Sequence, residues 1–178
     1  STPLVVGARG SSTDLVINAL YFQQEKTETI SMSTLEKMND TGFGYSIPMI
    51  TLFSARNFPI VGTDLDYFDF RGLELQSGKL MSFVGECVVG SAVAEQLSVG
   101  VGDSLISSPE NFFDLAGVYP LKMRVAGVLE SSESPDDQAI FVDIKTNWVI
   151  MGLGHGNEDL TKALDPSVVL RRDSSEIK

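Results

Sequence analysis

The stretch LKMRVAGVL at residues 121–129 carries the clearest structural pattern in the chain. Its first half alternates apolar residues with Lys122 and Arg124, which is the pattern of a half-buried antiparallel strand. Its second half, VAGVL, is among the longest uninterrupted apolar runs of the sequence and has the length of a strand. This pattern predicts a strand at residues 121–129.

Short strands and short helices alternate on either side of this stretch. The predicted strands lie at residues 4–6, 47–53, 58–61, 87–89, 104–106, 139–142 and 168–170. The strands at 47–53 and 58–61 are predicted to be joined around residues 55–57. The predicted helices carry the apolar face of residues 15–22, begin at the capping box Ser33–Glu36, follow Asp64, and span residues 92–97. This mixed alternation, with antiparallel pairs between the helices, predicts an α+β fold.

Composition narrows the classes of partner. The 178 residues include 13 Lys and Arg against 24 Asp and Glu, which gives a formal charge of −11. Binding to phosphate backbones needs a basic face, so the charge argues against a nucleic acid as partner. It argues equally against electrostatic adhesion to anionic lipid. The length suits one domain, or two small lobes that share a chain.

The chain contains one cysteine, Cys87, and one histidine, His155. One cysteine cannot form an internal disulfide, and no Cys/His cluster offers a zinc site. No run approaches the roughly 18 apolar residues that a membrane helix needs. The sequence starts at Ser1 without an initiator Met, as expected of an excised fragment or of a processed mature protein.

The sequence motifs that could indicate a catalytic, phosphate-binding or metal-binding site are each incomplete. The one Gly-Lys pair, at Gly78, is followed by Leu80 and lacks the hydroxyl residue of a phosphate-binding loop. An EF-hand loop started at Asp64 would place Leu75 where a glutamate is required. We predict instead that Asp64, Asp66 and Asp69 form a solvated helix face. The acidic residues within 130–137 are likewise predicted to form a solvated loop: Glu130, Glu133, Asp136 and Asp137. His155 sits in a glycine-rich segment that is poor support for a catalytic base, and no nucleophile elbow is present. We therefore predict no catalytic, cofactor or metal residues.

The segment at residues 107–119 is long for a hairpin connection. It carries four large side chains among polar residues: Phe112, Phe113, Leu115 and Tyr119. Long loops inside compact domains tend to be functional or to be ordered by packing. These side chains therefore either form a protein-binding edge or tuck into a small satellite core. They are our candidate partner-contact loop.

Five segments, taken in order, resemble a known family. They are VGTD with the following Tyr67-Phe68 and Gly78-Lys79, VVGSAVA at 88–94, VGDSL at 101–105, VAGVL at 125–129, and AIFV at 139–142. This ordered set resembles the MacB-like periplasmic core domain of ABC transporter permeases of the MacB, LolC/LolE and FtsX type. Lys79 stands where the family usually has arginine, which keeps the charge.

The resemblance implies an extracytoplasmic domain of a cytoplasmic-membrane permease, placed between its first and second membrane helices. It also implies a two-lobed architecture. A porter-like α/β lobe would comprise residues 1–84 and 159–178, and a small β-rich, Sabre-like lobe would be inserted at residues 85–158. The chain itself would not be an enzyme, because ATP hydrolysis would belong to a separate cytoplasmic ATPase.

The function implied is to transmit ATP-driven motion of the membrane helices to a cargo or a partner protein, in efflux or in lipid or lipoprotein transport. The resemblance leaves open a periplasmic adaptor, a cargo and a homo- or heterodimer of permeases as partners. The competing hypothesis is a small-molecule or lipid-binding sensor domain, which would need a concave apolar pocket.

Overall fold

Strand β6 (Lys122–Leu129) lies where the alternating stretch predicted it, inside a mixed sheet. The structure, a computed structural model, describes residues 4–23, 28–42, 44–107 and 120–153. In those residues seven strands pair in the order β1-β2-β7-β4-β6-β3, with β5 also beside β6. The other strands are β1 (Ile50–Ala55), β2 (Phe58–Thr63), β3 (Leu75–Gly78), β4 (Glu86–Val89), β5 (Ser104–Ile106) and β7 (Ile140–Asp143).

Five helices and a short 3-10 turn accompany the sheet in the described ranges. The helices are α1 (Ser12–Tyr21), α2 (Met32–Asp40), α3 (Asp66–Arg71), α4 (Ser91–Leu97) and α5 (Ile144–Ile150), and the 3-10 turn is Pro135–Gln138. None of these helices is both long and apolar enough to cross a membrane. The predicted α+β class is confirmed by this mixture of helices with a sheet that has parallel and antiparallel pairs.

Strand β6 pairs on both of its sides. On one side it runs parallel to β4, and on the other side β5 and then β3 pair with it antiparallel. Strands β3 and β6 approach each other closely where Gly78 of β3 is in register with Gly127 of β6. A β-carbon on Gly127 would lie 2.4 Å from the carbonyl oxygen of Lys79. Only glycine permits so close an approach of two backbones.

The hairpin between β1 and β2 confirms the prediction of two strands joined around residues 55–57. Ala55 pairs with Phe58, and the two residues between them, Arg56 and Asn57, have left-handed φ angles of 53° and 71°. Two consecutive positive φ angles define the turn whose twist matches that of antiparallel strands. The sequence shows only the asparagine as a hint of this geometry.

Each face of the sheet is covered by its own hydrophobic core. One core includes Val93 of α4 and Ile150 of α5 against alternate residues of β4, β6 and β7. The other packs Phe22, Tyr67 and Phe68 onto the opposite face. In that second core Phe141 of β7 contacts Phe68 and Tyr67, with ring centroids 5.4 and 5.5 Å away. The sheet is therefore buried on both faces over its central strands.

Two local predictions are wrong. Residues 4–6 form no strand, and Leu4 is 89% exposed, because no described neighbour pairs with this short apolar run. Helix α2 begins at Met32, before the predicted capping box, with Ser31 as its N-cap residue. The Ser31 hydroxyl bonds to the hydroxyls of Ser33 and Thr34 instead of capping a backbone N–H.

The sheet is continuous across the predicted boundary between residues 84 and 85. Strand β2 pairs with β7, and β3 pairs with β6, so strands from both predicted lobes hydrogen-bond to each other. The second boundary, at residues 158–159, and the predicted strand at 168–170 lie outside the described residues. The division into two lobes stays a prediction.

We predict that Phe141→Ala lowers the free energy of unfolding by about 3–5 kcal/mol, because it removes the ring at the centre of the second core. Urea unfolding of the two proteins measures the difference. The matched control is Phe70→Ala on α3, where the ring is 54% exposed and the cost should stay within about 0.5 kcal/mol. Equal losses for the two variants would contradict this assignment of the core.

Candidate functional site

The candidate partner-contact loop is anchored on two strands. Ser107 follows β5 and Leu121 precedes β6, and both residues are buried. The Ser107 N–H donates to the Leu121 carbonyl at 2.9 Å, and the Leu121 N–H donates to the Ser107 hydroxyl at the same distance. We call this pair the loop stem. It fixes where the connecting segment leaves and rejoins the sheet.

The predicted contact residues themselves fall beyond this stem. Phe112, Phe113, Leu115 and Tyr119 lie outside the described residues, as does His155. The stem marks one end of the sheet, where β4 and β6 begin and where β2 and β7 end. We call this the stem end.

Acidic side chains gather at the stem end, where β2 and β7 finish. Asp64 follows β2 and Asp143 is the last residue of β7. Burial raises the pKa of Asp64, and the neighbouring charge of Asp66 raises it further. The Oδ1 atom of Asp64 is buried without a hydrogen-bond partner among the described residues. Asp66, in contrast, is exposed and accepts a hydrogen bond from the Tyr45 hydroxyl.

The sequence predicted Asp64, Asp66 and Asp69 as a solvated helix face. That prediction is confirmed for Asp66 and Asp69, which are exposed, whereas Asp64 is half-buried. In the part of the chain that the structure describes, no three His, Cys, Asp or Glu side chains converge as metal ligands.

The opposite end of the sheet holds a buried ionic network that the sequence did not reveal. Asp136, in the 3-10 turn, is fully buried. Its carboxylate accepts hydrogen bonds from the Tyr67 hydroxyl at 2.7 Å, from Arg71 Nη2 at 2.5 Å and from the Ser134 hydroxyl at 2.7 Å. A buried carboxylate is stable only when paired and hydrogen-bonded in this way. The network ties the turn before β7 to helix α3.

The buried Asp136 carboxylate shifts the pKa values of the two side chains bound to it. The pKa of Tyr67 is raised, first by burial and then by the adjacent Asp136 charge. Burial by itself would lower the pKa of Arg71, but the hydrogen bond and charge of Asp136, together with smaller contributions from Tyr67, outweigh it and raise that pKa. The acidic stretch at residues 130–137 was predicted to be a solvated loop, which is wrong for Asp136. Tyr67 and Arg71 stand four residues apart on one helix face, yet nothing in the sequence names a partner 65 residues later.

The adjacent Asp137 is held differently, by its own turn. It accepts hydrogen bonds from the backbone N–H groups of Ser132 and Glu133 and from the hydroxyls of Ser131 and Ser132. Burial alone would raise the pKa of Asp137, but the hydrogen bonds from Ser132, Ser131 and Glu133 outweigh it and lower that pKa. The turn is therefore organised around a carboxylate that stays ionised.

The single thiol is not an activated nucleophile. Cys87 lies on β4 and is fully buried. Burial, followed by the negative charge of Glu86, raises the pKa of this thiol to about 12. A reactive cysteine needs an exposed, electropositive setting that lowers its pKa, so Cys87 acts as a core residue.

The family model described as the MacB-like periplasmic core domain matches the chain over residues 6–172. The chain belongs to this family. The similarity expected from the ordered segments is thereby confirmed, and it covers nearly the whole sequence. Members of this family are periplasmic domains of transporter permeases and not catalytic domains.

Solved structures agree with the family. The periplasmic region of MacB from Actinobacillus actinomycetemcomitans superposes with a TM-score of 0.55 at 14% identity, covering 80% of this chain. The chain spans 64% of the length of that MacB region. At this identity the likeness shows a shared fold.

Two further structures are similar at lower TM-scores. The extracellular domain of the noncanonic ABC-type transporter YknZ from Gram-positive bacteria has a TM-score of 0.43 at 16% identity, covering 60% of this chain and 57% of its own. A domain of a permease protein from Porphyromonas gingivalis has a TM-score of 0.37 at 16% identity, covering 64% of this chain and 48% of its own. No curated protein sequence matches the chain significantly.

In this MacB-like domain, we predict that Asp136→Ala lowers the free energy of unfolding by about 3–5 kcal/mol, because Arg71 and Tyr67 lose a buried partner. Denaturant unfolding at neutral pH measures the loss. Glu130→Ala is the control, because Glu130 is exposed at the end of β6 and its removal should change stability by no more than about 0.5 kcal/mol. A loss for Asp136→Ala as small as that of the control would contradict the network.

Two aspartates should give opposite pH dependences. At Asp64 the pKa is raised in the folded state. Such a group contributes stability that is fully present below the pKa of the unfolded state, and this stability is lost as the pH rises through the pKa of the folded state. A lowered folded-state pKa, as at Asp137, provides stability above the unfolded pKa that is lost as the pH falls through the folded value. At neutral pH, Asp64→Asn should therefore stabilise the domain and Asp137→Asn should destabilise it.

Both effects should shrink as the pH falls from neutral to about 3, near and below the ordinary aspartate pKa of about 4. Unfolding free energies of the three proteins across this pH range check the prediction. Asp69→Asn, a change at an exposed aspartate, provides the baseline. Parallel curves for Asp64→Asn and Asp137→Asn would show that the two environments do not differ as described.

Proposed function

We propose that this domain transmits the motion of a permease's membrane helices to a partner or cargo on the outer side of the cytoplasmic membrane. The observation that carries the proposal is the family match over residues 6–172, which makes the chain a MacB-like periplasmic core domain. The ATPase that drives such motion is a separate cytoplasmic domain or subunit. A separate ATPase agrees with the sequence of this chain, because its one Gly-Lys pair is not followed by the hydroxyl residue that a phosphate-binding loop needs.

The internal packing supports a mechanical role. A displacement is carried over distance only by an element that does not deform, and close-packed protein interiors have low compressibility. The central strands β2, β7, β4 and β6 are joined edge to edge and covered by a core on each face. We infer that a push on one side of this sheet moves the described body as a unit.

The contact with the partner is proposed at the loop of residues 107–119. Its support is the stem, because the hydrogen bonds between Ser107 and Leu121 couple the loop ends to β5 and β6. A loop that is fixed at its base moves with the sheet. Its aromatic side chains, Phe112 and Phe113, are the type of residue that anchors a protein interface. Motion alters partner affinity only if the two positions of the domain offer different contacts.

The test uses the full-length transporter with its own partner. Phe112→Ala combined with Phe113→Ala should reduce export about tenfold or more, because the aromatic anchors of the contact are lost. Transport of the natural cargo and cross-linking to the partner are the two measurements. Basal ATP hydrolysis and the amount of transporter in the membrane should stay unchanged.

The matched control is Phe70→Ala, which removes an exposed ring from helix α3, an element that follows β2 and not the stem strands β5 and β6. Export by this variant should equal that of the wild type. Normal export and normal cross-linking with the double variant would refute the loop as the contact.

Reading the parent gene for apolar stretches of about 20 residues tests the membrane placement, with one expected before this domain and three after it.

A further inference from the structure

A positively charged, partly apolar face lies beside the loop stem. Strand register places Ile106 opposite Lys122, and Ser104 opposite Arg124. Paired residues in neighbouring strands point to the same side of a sheet. Arg124 is also in register with Glu86 of β4. The exposed positions of β5 and the start of β6 therefore share one face, and this face is on the side opposite Met123 and Val125, which belong to the first core.

Two more side chains extend this face. Lys79 lies 3.3 Å from the Glu86 carboxylate, and its ammonium group is 5.3 Å from the centre of the Phe83 ring. The Phe83 side chain is 67% exposed and that of Ile106 is 47% exposed. We name the surface formed by Lys79, Phe83, Ile106, Lys122 and Arg124 the basic face.

Of the three cations of the basic face, one has an ion-pair partner among the described residues. The ion pairs among the described residues are Arg71 with Asp136 and Lys79 with Glu86. Within those residues, neither Lys122 nor Arg124 has a carboxylate partner. Arg124 is exposed, and the two cations stand two residues apart on one strand, which separates them by about 7 Å. The chain as a whole carries a net charge of −11, so two neighbouring cations without a carboxylate partner among the described residues form a local positive area.

We propose that the basic face is a docking surface for an extended, acidic segment of a protein partner. Carboxylates at alternate positions of an extended chain repeat at the same spacing of about 7 Å as Lys122 and Arg124. Phe83 and Ile106 supply exposed apolar contacts beside these charges, and aromatic and arginine residues are the common anchors of interfaces. The proposal deepens the proposed function and rests on it, because it names the chemistry of the partner at the stem end.

Charge arithmetic favours a protein over an anionic membrane as the occupant. Each basic residue near an anionic membrane surface contributes roughly 1 kcal/mol, so three cations provide only about 3 kcal/mol. The same membrane repels the rest of a domain that carries 24 acidic residues. A short acidic segment contacts the basic face alone and avoids this repulsion.

The experiment measures binding by the whole 178-residue chain. The probe is a fluorescein-labelled nine-residue peptide in which glutamate alternates with valine, and the matched probe has glutamine at every glutamate position. Fluorescence anisotropy should show binding of the glutamate peptide at least tenfold tighter than that of the glutamine peptide. The affinity should weaken as salt rises from about 50 to about 300 mM, because the charges are exposed and screened.

Charge-reversed variants locate the site. Lys122→Glu combined with Arg124→Glu should weaken binding tenfold or more. Lys37→Glu combined with Lys145→Glu makes the same change in net charge at exposed positions on α2 and α5, and it should bind like the wild type. Unfolding midpoints of both double variants show that they are folded, and Phe83→Ser provides a second, uncharged variant that should also weaken binding.

Several results would overturn the proposal. They are equal binding of the two peptides, equal weakening by both charge-reversed variants, or stronger retention on phosphatidylglycerol vesicles than on the glutamate peptide. Self-association of the chain that Lys122→Glu abolishes would identify a second copy as the occupant and would also overturn it. If the basic face fails but Phe112→Ala with Phe113→Ala still blocks export, the proposed function stands without this partner chemistry.

Discussion

Strand β6 has to satisfy its backbone hydrogen bonds on both sides at once, and most of the described structure depends on how it does so. Its parallel partner β4 occupies one side, while β5 and β3 share the other. Two strands fit along one side because they pair with different parts of β6: β5 with residues 122–124, and β3 with residues 127–129, where Gly78 lies close to Gly127. An unpaired buried N–H or carbonyl is costly, so this double pairing fixes the position of every neighbouring strand.

The two ends of the sheet are stabilised by different means. At one end a fully buried carboxylate, Asp136, joins the turn before β7 to helix α3 through Tyr67 and Arg71. At the other end the loop stem is closed by two ordinary hydrogen bonds between Ser107 and Leu121. Breaking a buried ion pair leaves an uncompensated charge, and opening the stem leaves buried polar groups without partners.

The described structure is that of a MacB-like periplasmic core domain, and the role we propose for it needs a sheet that moves as one body. The basic face and the proposed contact loop both adjoin the stem, so both would move with β5 and β6. The net charge of −11 disfavours electrostatic adhesion of the domain to anionic surfaces.

The sequence alone predicted the α+β class, the strand at residues 121–129, the β1–β2 hairpin and the family, because these depend on local periodicity, turn residues and the order of short motifs. It erred at residues 4–6, where an apolar run has no described partner strand, and at Asp136, where an acidic turn suggested solvent. Hydrophobic periodicity indicates which side chains of a segment are buried, but it does not indicate which distant residues they contact.

Only the tertiary structure brought Asp136 to Tyr67 and Arg71, and only strand register placed Ile106 beside Lys122. These arrangements join residues that are far apart in sequence, so no local pattern encodes them. The sequence determined which segments could be strands and helices, because that choice is made over a few residues. The tertiary structure decided which charges are buried and paired, because that depends on which strands become neighbours.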